Sequence, residues 1–291
     1  MKNLFFNIAD IQFHMKVPKK ILGKEYESFY TNTGIDPIIN ILVKPQFFIR
    51  DPRGKLIHDR ELEWYINLNN DYCHCLVMRD EKTSKLAAKM KANREWTDII
   101  ISFNPKYPNI NFVIHILLVE IVFRNRILFH NGLVVHASAV CYKDYCVVFT
   151  APSGTGKTTH AQLWEKYLGA VVINDDHPAI KLINNKPVVY GTPWAGSTYK
   201  YKNTHAPLKA IVILEKAPFN SIRKLNSDEI INHLLPRCFL PYYDKELMKK
   251  AMDLFESMIS KVPVYLLKCR PDQEAVNVAV KEIENLNGGI L

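Results

Sequence analysis

The stretch that most restricts what this chain can fold into is APSGTGKT, Ala151 to Thr158. It stands between an apolar run, Tyr145–Thr150, and a segment with Leu163, Trp164, Tyr167 and Leu168 on one helical face. The order predicts strand, glycine loop, helix, with Gly169 ending the helix in a left-handed conformation. Backbone N–H groups around Ser153, Gly154, Thr155 and Gly156 would form an anion nest, reinforced by the positive end of the helix. Lys157 would bring a point charge to the β- and γ-phosphates, and Thr158, with Thr159 beside it, opens the helix and offers a hydroxyl to Mg²⁺. The first glycine of GxxxxGK[ST] is Ala151 here, which serves if its φ stays negative. The expected cofactors are ATP, or another nucleoside triphosphate, and Mg²⁺.

A phosphate loop does not name a reaction; the acids that follow it narrow the choice. Asp175 and Asp176 stand 18 and 19 residues after Lys157, a gap that one helix and one strand fill. The acid-bearing strand is therefore expected beside the loop strand, with its carboxylates facing the γ-phosphate. Phosphoryl transfer needs one group to hold Mg²⁺ and another to deprotonate the acceptor hydroxyl, tasks two adjacent aspartates can divide. A transporter-type ATPase would carry LSGGQ, which is absent. A GTPase would carry NKxD, and Asn185-Lys186-Pro187-Val188 lacks its acid. Small-metabolite kinases usually begin at the loop, whereas about 150 residues precede it here.

Those preceding residues predict short strands at Ile39–Val43, Phe47–Arg50, Trp64–Asn67, Cys73–Arg79 and Ile99–Phe103. Asn109 or Asn111 would then cap a helix to about Phe129, apolar almost all round and so expected between the two halves. The expected division is a mainly β region, residues 1–109, and a kinase-type domain, 110–291. Within the latter, strands are expected at Leu133–Val140, Tyr145–Thr150, Ala170–Ile173, Ala179–Ile183, Pro187–Tyr190, Leu208–Leu214 and Val264–Cys269. Helices are expected near Ser227–Leu235 and Asp244–Lys261 and after Asp272.

Charge and cysteine exclude several classes. The net charge of +9 divides almost evenly, five in residues 1–130 and four in 131–291, without a concentrated basic arm, so nucleic acid is not an expected partner. The Lys-rich stretch Lys82–Arg94 reads as a solvated surface. No apolar run approaches the roughly 18–20 residues of a membrane span, and Met1–Phe6 is too short for a signal segment. A soluble, cytoplasmic protein with no membrane association is expected, and the sequence is compatible with a homo-oligomer. The six cysteines form no disulfide framework of the small-domain kind. Cys73-His74-Cys75 lacks a second pair at zinc spacing, so buried thiols in a sheet are preferred.

His136 on its strand, then FTAPSGTGKTT, then VVINDDHPAI, in that order and spacing, resemble the HPr kinase/phosphorylase family and its ATP-dependent phosphoenolpyruvate carboxykinase-like relatives. GTPWAG from Gly191, the strand ending Leu214-Glu215-Lys216, and VYLLKCRPDQEAV resemble an HPr-kinase-like subgroup. Its members sit among enzymes that modify ribosomally made peptides, lasso-peptide precursor kinases included. The resemblance covers most of residues 110–285. It implies an α/β P-loop core with a mixed sheet behind a mainly β N-terminal region. By it, Lys157 and the loop amides hold phosphate, Thr158 and Asp176 hold the metal, and Asp175 is the base, assisted by His136; either aspartate fits either role. The Pro-Gly-Arg-Asn pattern of the bifunctional enzymes is absent, so phosphorylase activity is not expected. Trp194 reads equally as a base-stacking ring and as a buried anchor. For Arg237 and Arg270, surface pairing is preferred over phosphate contact. The expected reaction is Mg²⁺-dependent transfer of a γ-phosphoryl group to a hydroxyl, Ser of a peptide or protein, with a ribosomal peptide precursor among the substrates the resemblance implies. A small-molecule acceptor such as free serine, and a nucleotide-sensing module without transfer, stand as alternatives.

Overall fold

The structure, a computed structural model, describes residues 1–21, 23–31 and 38–285. The chain divides into two compact units, Met1–Ile127 and Leu128–Leu291. The division falls well after the expected boundary at 109/110. The helical segment from Ile110 is counted with the first unit instead of opening the second.

The first unit holds an eight-stranded sheet among the described residues. Its strands are β1 (Lys2–Ile8), β2 (Ile11–Val17), β3 (Ile39–Pro45), β4 (Lys55–Asp59), β5 (Glu63–Ile66), β6 (His74–Arg79), β7 (Leu86–Ala92) and β8 (Asp98–Phe103), in the order β1-β2-β3-β8-β7-β6-β5-β4. The β2–β3 and β3–β8 pairs are parallel and the others antiparallel. Sequence reading overlooks the β1–β2 hairpin. Its two-residue turn, Ala9-Asp10, has φ of 50° and 60°, the primed-turn geometry normally marked by Asn-Gly. Lys82–Arg94 is not simply a solvated surface, because β7 runs through it with Met90 and Ala92 buried and Lys91 exposed. Phe47–Arg50 is no strand: Pro45 ends β3, and Phe47 and Phe48 are exposed. Cys73 and Cys75 are free, buried thiols; His74, on the opposite face from Cys75, stacks on Trp96 at 4.6 Å.

After β8 come α1 (Ile110–Phe112), a π-helical turn (Val113–Leu118) and α2 (Val119–Arg126). Ile114, Leu118, Val119, Val122 and Phe123 are fully buried, as the all-round apolar pattern requires. Asn109 stands at the N-cap with φ 61° and makes no side-chain cap.

The second unit holds β9 (Gly132–Val134), β10 (Ala137–Tyr142), β11 (Tyr145–Thr150), α3 (Lys157–Leu168), β12 (Val171–Asn174), β13 (Ala179–Ile183), β14 (Lys186–Tyr190), β15 (His205–Lys216), β16 (Ser221–Lys224), α4 (Ser227–Leu234), α5 (Lys245–Ile259), β17 (Val264–Cys269) and α6 (Gln273–Asn285). The sheet order is β12-β10-β11-β15-β14-β13-β9, with β17 also on β15 and β16 on β17. β11, β15 and β17 are parallel, while the start of β15 pairs antiparallel with β14. The fold is thus mixed α/β with mixed sheets, as the sequence predicts.

The run from Ala210 to Leu214 is apolar without alternation because both faces of β15 are covered. Ala210, Val212 and Leu214 pack with Trp164 of α3 and Val276 of α6, while Ile211 and Ile213 pack with Leu234 of α4 and Phe255 of α5. Truncating a residue such as Phe255 to Ala would cost about 3–5 kcal/mol by the usual cavity penalty.

Two further expectations change. The acid-bearing β12 does not lie beside the loop strand β11, because β10 stands between them. It pairs antiparallel with β10, which pairs antiparallel with β11, so β12 and β11 run in the same direction. Their carboxyl ends reach one edge, where open α/β sheets place ligands. The strand expected at Leu133–Val140 is broken at Val135-His136, where Val135 bridges to Cys238. Two of the six cysteines, Cys141 and Cys146, face each other across the β10–β11 hairpin and form a disulfide.

Candidate functional site

The glycine loop runs from Ala151 to Gly156, between the end of β11 and Lys157, the first residue of α3. Ala151 is not among the residues with positive φ, so it opens the loop as expected; the turn falls to Gly154 (φ 74°) and Gly156 (φ 119°). No heavy atom lies within 4 Å of where a Cβ would stand on either glycine. The space over this backbone is open, and a side chain there is disfavoured by φ alone. Ser153 and Thr159 are exposed, and Thr155 and Thr158 half-buried. Beneath the loop, Trp164 Nε1 donates to His160 Nε2 at 3.2 Å. Burial takes the His160 pKa down to about 4, so it is a neutral acceptor that ties the first turn of α3 to the core.

Lys157 is 8% exposed. Its Nζ donates to Ala151 O at 3.2 Å and contacts His136 Nε2 at 2.9 Å. Burial lowers its pKa below the usual lysine range; Asp176 opposes that shift and Arg237 adds to it. His136 reaches Asp176 with its other nitrogen, Nδ1 to Oδ1 at 3.0 Å. With an ammonium donating to Nε2, the proton of a neutral imidazole belongs on Nδ1, where it donates to the carboxylate. Burial raises the Asp176 pKa, but the His136 hydrogen bond and the charges of His177, His136 and Lys157 outweigh it and leave the carboxyl below its ordinary value.

The two aspartates part company at the end of β12, and Asn174 makes them do so. Its side chain is fully buried. Oδ1 accepts the N–H groups of Asp176 (2.9 Å) and His177 (2.6 Å), while Nδ2 donates to Thr192 O (3.0 Å) and Trp194 O (3.1 Å). This Asx-type bend ends the strand. Asp175, 2% exposed, then turns to the following loop, accepting Gly196 N–H at 2.7 Å and the Thr198 hydroxyl. Asp176 turns to His136. The structure therefore brings together His136, Lys157 and Asp176 and keeps Asp175 out of that contact, against the expected Asp175–His136 partnership.

Four further residues belong to the setting. His177 places Nε2 3.4 Å from Asp176 Oδ2 and packs edge-on against Phe239 at 4.9 Å. His136, Asp176 and His177 offer ligand atoms within 4.8 Å of one another. Arg237 is not surface-paired as expected: its Nε is buried without a hydrogen-bond partner, and its carbonyl accepts His136 N–H at 2.8 Å. His177 was legible as the neighbour of the acid pair, whereas Arg237, 61 positions after Asp176, carries no local signal. Trp194 is 1% exposed, which makes it a buried anchor. Arg270 is paired to Asp272 and Glu274, as the sequence reading preferred. A cavity of about 420 Å³ adjoins the loop, between Gly154, Thr159 and Leu163 on one side and Lys216, Arg270 and Pro271 at the ends of β15 and β17 on the other.

Comparison with known proteins adds one finding. No family model and no curated protein matches the sequence. Among solved structures, the chain is similar to the Hpr(Ser) kinase/phosphatase from Coxiella burnetii, with 14% identity, a TM-score of 0.33, and coverage of 54% of this chain and 99% of that one. At that level the likeness describes a distant neighbour, and the functional reading rests on this chain's own residues. No helix among the described residues is long and apolar enough to cross a membrane.

Proposed function

We propose that this chain is a phosphotransferase that moves the γ-phosphoryl group of a nucleoside triphosphate, ATP in the first instance, to a hydroxyl, Ser of a peptide or protein. The observation that carries this reading is the Lys157–His136–Asp176 chain at the mouth of an open glycine loop. The loop fits a triphosphate because its glycine backbone is unobstructed and Lys157, a cation, meets an imidazole nitrogen and a carbonyl oxygen there. The cavity beside it accommodates a nucleoside.

Mg²⁺ is an oxygen-seeking ion. The Asp176 carboxylate and the Thr158 hydroxyl would hold it, and both oxygens of Asp175 are already engaged. When bound, the ion supplies neutralisation of charge on the phosphates. Lys157 leaves His136 for the phosphates, which uncovers Nε2. The imidazole, oriented by Asp176 through Nδ1, then takes the acceptor proton. The hydroxyl oxygen forms its bond to the γ-phosphorus as the bond to the bridging oxygen breaks, and that electron pair leaves with the nucleoside diphosphate. Asp175 fixes the 196–198 loop and positions it, which revises its expected role as base.

Incubation with γ-labelled ATP, Mg²⁺ and Ser-containing peptides tests the reading. Label should appear in phosphoserine and be lost in His136→Gln. Transfer only to free serine or another metabolite would establish the small-molecule alternative. Tight ATP binding without transfer to any acceptor would establish a nucleotide sensor.

A further inference from the structure

Outside the phosphate site, the described residues of the first unit build a second pocket, a cavity of about 630 Å³ on one face of the eight-stranded sheet. Its construction follows from register. Lys44 of β3 and Lys89 of β7 both stand opposite Ser102 of β8, and Lys91 of β7 stands between Ile100 of β8 and Cys75 of β6. Residues two apart on a strand share a face, so these side chains form one patch with lysines at its sides and Ser102, Ile100 and Cys75 as its floor. The alternate residues Val43, Ile101, Met90 and Leu76 point the other way and are fully buried. One face of this part of the sheet is thus packed throughout, while the other carries the lysines beside a small buried cluster of Cys75, Val77 and Leu86.

The cationic face is prebuilt. Lys89 Nζ donates to Arg50 O at 2.7 Å and Asp51 O at 3.3 Å, tying the segment after β3 over the sheet. Arg79 binds Asp51 at 2.9 Å and also binds Glu63, so the Asp51 carboxylate in the lining is already paired. The lining holds Lys44, Arg50, Arg53, Lys89 and Lys91 against Asp51 and Asp71. Lys44, Lys91 and Arg50 are exposed, and no acid among the described residues lies within ion-pair distance of them.

We infer that this face is a docking groove for an acidic, extended stretch of polypeptide, and that the hydroxyl acceptor arrives as part of such a chain. Three features choose that occupant. The cations spread across β3 to β7, two strand spacings of about 4.8 Å each, and Lys89 and Lys91 repeat at about 7 Å along β7. That spread matches carboxylates on alternate residues of an extended peptide and is too wide for a single phosphate. Ser102 and the buried Cys75 give a narrow floor that admits side chains. A nucleic-acid strand stacks successive bases on several rings, and the lining of this groove offers one, Tyr72. The link to an acceptor rests on the phosphotransfer reading; the binding itself does not.

Binding and turnover are therefore measured separately. The probes are a fluorescein-labelled peptide alternating Glu and Ala around one Ser, its Gln counterpart, and a single-stranded oligonucleotide of equal charge. Wild type should bind the Glu peptide at least about 10-fold more tightly than the Gln peptide at low salt, and the preference should shrink as salt rises. Lys44→Glu with Lys91→Glu should abolish the preference while leaving the thermal midpoint and ATP binding unchanged. If that variant does not fold, Lys44→Gln with Lys91→Gln should show the same loss in weaker form. Equal binding of Glu and Gln peptides, undiminished binding by the folded variants, or tighter binding of the oligonucleotide would each overturn the proposal. Glu-peptide binding without label transfer would leave the groove standing and sink the phosphotransfer reading. Transfer to the Gln peptide at an unchanged KM would do the reverse.

Discussion

Lys157 is almost wholly buried and held between one imidazole and one carbonyl. Lys44 and Lys91, by contrast, stand on an open sheet face with water on one side. The first arrangement concentrates one charge at a point where desolvation strengthens every interaction it makes. The second distributes several charges, each screened by solvent and salt. A single buried cation suits a group that must be bound in one geometry and react there. A row of exposed ones suits a long ligand that must be recognised and released. On the proposed readings, the same amino acid serves chemistry in one unit and docking in the other.

The sharpest way to break that contrast is Lys157→Met. Transfer should fall by about 10³-fold, since a preorganised charge at the reacting phosphate is lost. The ligand-free protein should nevertheless melt higher at pH 7. Burial holds the folded Lys157 pKa below its unfolded value of about 10.4. Between those two values the unfolded chain binds more protons, so wild-type stability rises with pH in that window. Melting curves across pH 7–11 should show this rise in wild type and not in the variant; a lower midpoint for the variant at pH 7 would refute the picture.

Asp176→Asn comes next, with an expected loss in transfer of about 10²-fold, because an amide carries no charge and can itself donate to Nδ1, so it no longer fixes the His136 tautomer. The carboxyl's folded pKa is lowered, so its contribution to stability is present above the unfolded value near 3.9 and disappears as pH falls through the folded pKa. Wild type and variant should differ in midpoint at pH 7 and converge in acid.

Asp175→Asn should cost about 1–3 kcal/mol in denaturant melts, by disturbing the hydrogen bonds to Gly196 and Thr198. Its effect on transfer should be about 10-fold or less. Abolished transfer in Asp175→Asn with near-normal transfer in Asp176→Asn would exchange the two roles. The smallest effect belongs to the distributed surface: Lys91→Ala alone should weaken Glu-peptide binding by only about 2- to 3-fold, as exposed charges are individually weak.

The loop was legible because its chemistry is local. Gly154, Gly156, Lys157 and Thr158 are consecutive or nearly so, and a strand before and a helix after were readable from apolar spacing. The β1–β2 hairpin was not, because Ala9-Asp10 adopts a turn that its residues do not advertise. β7 was hidden by its own lysines: the alternation in Leu86–Ala92 is present, but a Lys-rich composition resembles a solvated surface until the other face is seen to be packed. The order of strands was misplaced for another reason. Sequence distance put β12 beside β11, and only hydrogen-bond pairing shows β10 between them.

By itself the sequence determined a strand–glycine loop–helix with one lysine at its base, and two acids at the end of the next strand. Such features depend on neighbouring residues, whose backbone geometry is fixed within a few peptide units. Which acid meets His136 was decided by tertiary structure alone. Asn174 bends the chain at the strand end, and adjacent side chains then face opposite surroundings: the 196–198 loop takes Asp175, and His136, from the break between β9 and β10, takes Asp176. Adjacent residues with the same side chain are equivalent to any local pattern, and only partners distant in the sequence make them different.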